Sequence, residues 1–167
     1  KFANSHALEI IWLAGAEVFL LAGILAREKL FRYFGALVSF LVALYLLPMQ
    51  IMPLAEKVLT GAAHRDLQLS LVLAVVAAVF YANSHVIARV WKGLFDTDFE
   101  RMSIIVLSYA GGIFAVAAVY AGLDYKWSAV ALAALVALLS WVGGRFRVDE
   151  LPYQAHCIGL VAVIDAC

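Results

Sequence analysis

Glu17 has the most chemistry to offer. It falls near the centre of an apolar run from about His6 to Ala26, where an ionised carboxylate is costly and is by default a functional hypothesis. A carboxyl group there can carry a proton, hold a cation or neutralise a partner's charge. The structural explanation is a protonated or hydrogen-bonded glutamate turned toward a neighbouring helix. The second candidate is the run Asn83-Ser84-His85 in the third apolar segment. Imidazole can shuttle protons or bind metal. Successive helical residues lie about 100° apart, however, so Asn83 and His85 face nearly opposite ways and the run does not gather at one site. His85 shares a face with Tyr81 and Arg89. No second histidine stands three or four positions away, so neither metal nor cofactor is expected. Gln154, His156 and Cys157 read as interfacial polar residues without a haem-attachment sequence. Glu9, near the outer end of its run, is expected to reach headgroups or water, and Asp165 lies deep in the last run. No phosphate loop, nucleophile turn or H-E-x-x-H pair is present. With no polar cluster converging, no catalytic residue is expected.

The elements that must carry these residues are membrane helices. Hydrophobic residues make up 66% of the chain and charged ones 14%, with a mean hydropathy of +0.97. A soluble domain is roughly half apolar and a quarter charged, so there is too little charge here to cover a water-facing surface. Several runs reach the ~20 residues that cross a bilayer, and backbone in lipid must be helical to satisfy itself. The reading is an all-α polytopic bundle, one transmembrane domain over residues 1–167. Spans fall at about 6–26, 30–52, 67–91, 102–123 and 127–144, with a truncated sixth from Leu151. Pro48 and Pro53 are expected to bend or end the second helix, since proline lacks the ladder's N–H. Trp91 and Trp127 at helix ends suit the headgroup boundary.

The net charge of zero leaves no basic stripe for phosphates, so nucleic acid is excluded as a partner. The loops after the odd helices carry Arg27, Lys29, Arg32, Arg89, Lys92, Arg101, Arg145 and Arg147, against Lys1, Lys57, Arg65 and Lys126 on the other side. The positive-inside rule then puts the odd loops in the cytoplasm and the N-terminal end outside. The chain starts at Lys1 and stops at Cys167 inside an apolar stretch, as expected of a piece of a longer polypeptide. Cys157 and Cys167 on one helix would sit ~15 Å apart, too far for a disulfide.

An internal repeat organises the chain. Glu17–Gly23 aligns without a gap to Ala78–Ser84 and Ala137–Gly143, at spacings of 61 and 59. Ten or eleven positions into each copy stands a basic residue: Arg27, Arg89 and Arg147. Each copy then turns through a charged loop and re-enters the membrane, giving hairpins over about 6–55, 67–123 and 127–167. The third copy is expected to depart most, because its turn Val148-Asp-Glu-Leu-Pro-Tyr-Gln154 is longer and more acidic. The hairpins repeat directly, whereas many secondary transporters use inverted repeats with broken helices. At Glu17 the repeats carry Ala78 and Ala137, so the hairpin itself does not require an acid there.

The turn Arg27-Glu-Lys-Leu-Phe-Arg32, then Gly35-Ala and a Leu/Ala/Val-rich return helix, resembles large bacterial predicted multi-spanning membrane proteins of unknown function built from tandem helix hairpins. The resemblance covers most of Leu8–Leu47 and implies a bacterial inner-membrane location with further helices beyond this segment. It brings no catalytic residues. The leading expectation is a scaffold or accessory subunit without catalysis, contacting lipids and other membrane subunits. Its rival is a transporter or proton/ion-conducting element using Glu17, with His85 along the path. A membrane-embedded enzyme acting on lipid ranks third.

Overall fold

The computed structural model describes residues 5–61 and 64–166. Lys1 and Cys167 lie outside them, and with them the Cys157–Cys167 spacing. Six helices follow one another: α1 (Ser5–Leu25), α2 (Lys29–Leu59), α3 (Leu67–Val90), α4 (Asp98–Gly122), α5 (Tyr125–Phe146) and α6 (Glu150–Ala166). The first five are long and apolar enough to cross a membrane, the architecture of a multi-pass membrane protein. The dominant contacts join α1 to α2, α3 to α4 and α5 to α6, so the unit of construction is the hairpin.

Two helix bounds differ from expectation for local reasons. Pro48 and Pro53 do not end α2. The chain takes a π-helical turn over Leu47–Ile51, in which the Met52 N–H reaches back five residues to the Leu47 carbonyl, and continues as α-helix to Leu59. The wider turn accommodates a position that has no N–H to give. Helix α4 starts at Asp98, not Met102, because Thr97 and Glu100 form a reciprocal capping box. The sequence signal, threonine with glutamate three residues on, was present.

The repeat is visible in the backbone, but the odd copy is the second. In the first hairpin the Glu28 N–H bonds the Gly23 carbonyl at 2.9 Å, and in the third the Val148 N–H bonds the Gly143 carbonyl at 3.0 Å. Arg27 (φ 56°) and Arg147 (φ 54°) both take the left-handed conformation that closes such a helix end. Residues 23 and 143, 27 and 147, and 28 and 148 are thus paired at one spacing. The expectation that the third copy departs most is corrected: its longer acidic loop is wound into the start of α6, leaving the turn itself unchanged. Arg89 stands eleven positions into its copy rather than ten, and a π-helical turn over Ala82–Ile87 explains the difference. Such a turn is a one-residue insertion in an α-helix.

Packing forms two buried clusters. One joins the first two hairpins through Leu13, Val42, Leu46, Leu73, Phe80 and Phe114. The other belongs to the third hairpin, with Leu132, Leu139, Leu151 and Ile158. Large apolar side chains such as Val18, Leu25 and Leu71 face outward, where lipid replaces water.

Candidate functional site

Four polar arrangements hold the helices to one another. At the end carrying the odd-to-even turns, Arg32 of α2 and Glu100 of α4 form an ion pair at 2.9 Å, with side chains only 2% and 3% exposed. Arg32 also donates to the Leu94 carbonyl at 3.0 Å. Glu100 turns its other oxygen to the Thr97 hydroxyl at 2.8 Å, and Tyr33 donates to Thr97 at 3.2 Å. The pair therefore fastens the first hairpin to the second. In the sequence Arg32 enters only the loop-charge count and the turn motif, and nothing marks Glu100 except the capping signature at Thr97.

Deeper in the bundle, Asn83 donates to the Glu17 carboxylate at 2.6 Å. Glu17 is half-buried, facing α3. The amide oxygen of Asn83 and the hydroxyl of Ser84 are buried without a hydrogen-bond partner. His85 points elsewhere, to the Ser108 hydroxyl of α4 at 2.8 Å, and its ring stacks on Tyr81 with centroids 5.9 Å apart. Ser108 accepts from the Gln154 amide of α6 at 2.7 Å, and Tyr81 donates to Gln154 at 2.9 Å. With Ser108 accepting from Gln154, its own proton is available to His85 Nε2. A Cβ at Gly112 would stand 3.1 Å from the Gln154 oxygen and 3.2 Å from the Tyr81 hydroxyl, so the glycine makes room for that bond.

Three expectations change here. Polar side chains from α3, α4 and α6 do converge, in the chain His85–Ser108–Gln154–Tyr81. Gln154 is 3% exposed, a bundle residue rather than an interfacial one. Sequence spacing could not show this, because the partners lie 23 to 73 positions apart. Glu9 does not reach solvent either: it is buried, and Gln50 of α2 donates to it at 3.0 Å. Asp165 is held by the Ser128 hydroxyl of α5. His156 and Cys157 are exposed, and His156 meets the Pro152 carbonyl one turn back.

The fourth arrangement is a cleft of about 280 Å³ at the turn end, lined by Ser84, His85, Arg89 and Lys92 of the α3 end, Ser108 of α4, and Arg147 and Glu150 of the α5–α6 turn. Arg89 donates to the Phe146 carbonyl at 2.6 Å and stacks on that ring, which ties the second hairpin to the third. Arg27 lies in the α1–α2 turn at the same end, exposed. Trp91 stands just past α3 and Trp127 in the first turn of α5, 63% exposed. An apolar groove of about 440 Å³ runs between α2, α4 and α6, with Gln154 in its lining. Among the described residues no three His, Cys, Asp or Glu side chains gather as a metal set.

Comparison with protein-family models, curated proteins and solved structures finds no match. The functional reading therefore rests on this geometry.

Proposed function

We propose that this segment is a membrane scaffold without catalysis of its own, whose embedded polar side chains bind one hairpin to the next. One observation carries the reading: those side chains are used across hairpin boundaries. Glu17–Asn83 and Arg32–Glu100 join the first hairpin to the second, and Ser108–Gln154 joins the second to the third. Hydrogen bonds of this kind supply cohesion that apolar surface cannot supply in lipid. Glu17 is engaged by Asn83 of α3 and lines neither the basic cleft nor the apolar groove.

Glu17→Gln keeps an oxygen for Asn83 and is expected to leave both melting temperature and proton or cation flux in proteoliposomes unchanged. Glu17→Leu removes the acceptor and is expected to cost about 1–2 kcal/mol of stability. Altered flux in Glu17→Gln at unchanged stability would establish the transport reading instead.

The basic end, with Arg27, Arg89 and Arg147, belongs in this reading to the cytoplasmic face of a bacterial inner membrane, as in the hairpin-repeat membrane proteins that the first turn resembles. Single cysteines at Lys29 and Arg89 are then expected to label together from the cytoplasm. Labelling of one of them from the opposite side would end the same-way-up arrangement.

A further inference from the structure

We propose that the cleft between the α3 end, α4 and the α5–α6 turn binds a phosphate group, supplied by the headgroup of an anionic lipid. The proposal goes beyond the scaffold reading and stands or falls separately from it.

Three features of the cleft converge. The first is charge: Arg89, Lys92 and Arg147 face it against a single carboxylate, Glu150. Arg89 is held in place by Phe146. The side chain of neither Lys92 nor Arg147 has a hydrogen bond or ion pair among the described residues. Basic pockets between membrane helices suit anionic headgroups. The second is an unspent polar atom. Ser84 is 5% exposed, its hydroxyl has no partner, and it lines the cleft. A buried hydroxyl left unpaired is costly, and a phosphate oxygen would satisfy it. The third is position and size. The cations stand where α3 ends and α5 turns into α6, the level of headgroups. At about 280 Å³ the cleft lies at the lower end of ligand pockets, with room for a headgroup and none for acyl chains.

The π-helical turn is what builds it. Ser84 sits where the first and third hairpins have Gly23 and Gly143, each pressed against its own return helix. The inserted residue in the second hairpin moves the helix end past that position, and its hydroxyl is left beside the cations.

The test is native mass spectrometry of the protein released from nanodiscs of phosphatidylcholine mixed with phosphatidylglycerol. A parallel arm measures thermal shift in detergent with inorganic phosphate alone. The wild type is expected to retain phosphatidylglycerol over phosphatidylcholine. Lys92→Gln and Arg147→Gln are each expected to weaken retention about fivefold, and Ser84→Ala to weaken it with no change of charge. Arg27→Gln, at the same end but outside the cleft, should leave retention unaltered. Equal loss in Arg27→Gln and Arg147→Gln would reduce the effect to general surface attraction and overturn the site. So would full retention in Ser84→Ala. A shift with inorganic phosphate and no preference for phosphatidylglycerol would overturn the lipid as its source. Arg27, Lys92 and Arg147 are exposed, so their variants fold, and Ser84→Ala removes only a hydroxyl that has no partner.

Discussion

Arg32→Met is expected to destabilise the bundle by about 3–5 kcal/mol, because it leaves the Glu100 carboxylate buried without its counter-charge. At 2% and 3% exposure, neither member of this pair can turn to water if the other is lost. The loss corresponds to a fall in melting temperature of about 10 °C for a domain of this size. Glu100→Gln is milder. Glutamine still completes the capping box with Thr97, and Arg32 keeps the Leu94 carbonyl. The double variant Arg32→Met/Glu100→Gln has no buried charge left and is expected to recover most of the Arg32→Met loss. Thermal unfolding in detergent across this four-member cycle measures the coupling directly. Additive losses in the double variant would mean that the two side chains do not form the pair. The exposed pairs make the contrast. Lys29–Asp96 at 3.5 Å has both side chains more than half exposed, and Lys29→Gln is worth at most about 1 kcal/mol.

Membrane residence, helix number and the hairpin plan were legible because apolar length alone imposes them. Where the polar side chains point was less legible, because their partners are distant in the chain. Glu9 reads as a headgroup residue because it stands near the outer end of its run, yet Gln50 of α2 supplies it a partner inside the bundle. Gln154 reads as interfacial because it stands near the start of the last helix, yet its side chain turns into the bundle, against Ser108 and Tyr81. Spacing on one helix did show that Asn83 and His85 point apart, and they meet α1 and α4 respectively. It could not name what each would meet. The π-helical turn at Ala82–Ile87 left one numerical trace, the eleven-residue step to Arg89, which has meaning only once the two ten-residue copies are seen to share a turn.

The close crossing of α1 and α2 gives the second large effect. An ideal Cβ on Gly35 would stand 2.8 Å from the Leu20 nitrogen and 2.9 Å from its Cα. Those are backbone atoms, so no side-chain rotation relieves the contact and the helices must separate. Gly35→Ala is expected to cost about 1–3 kcal/mol despite the roughly 1 kcal/mol that alanine contributes to helix propensity. Gly35→Leu is expected to cost more. Gly15, on α1, has nothing within 4 Å of its Cβ position, so Gly15→Ala should stabilise by about 0.5–1 kcal/mol through propensity alone. Opposite signs in these two substitutions, measured as melting temperatures in one detergent, identify contact rather than backbone freedom as the reason for Gly35. A Gly35→Ala protein that melts at or above the wild type would show that the helices do not cross there. The third hairpin shows how the repeat can do without this glycine. Ala155 holds the equivalent place, and the tight approach is instead at Gly143, whose Cβ would meet the Pro152 ring at 2.6 Å. The first hairpin has the matching approach at Gly23, where a Cβ would lie 2.6 Å from the Arg32 nitrogen. Gly35→Ala therefore gives the first hairpin the third one's residue pattern, and what it loses measures what the second close approach contributes.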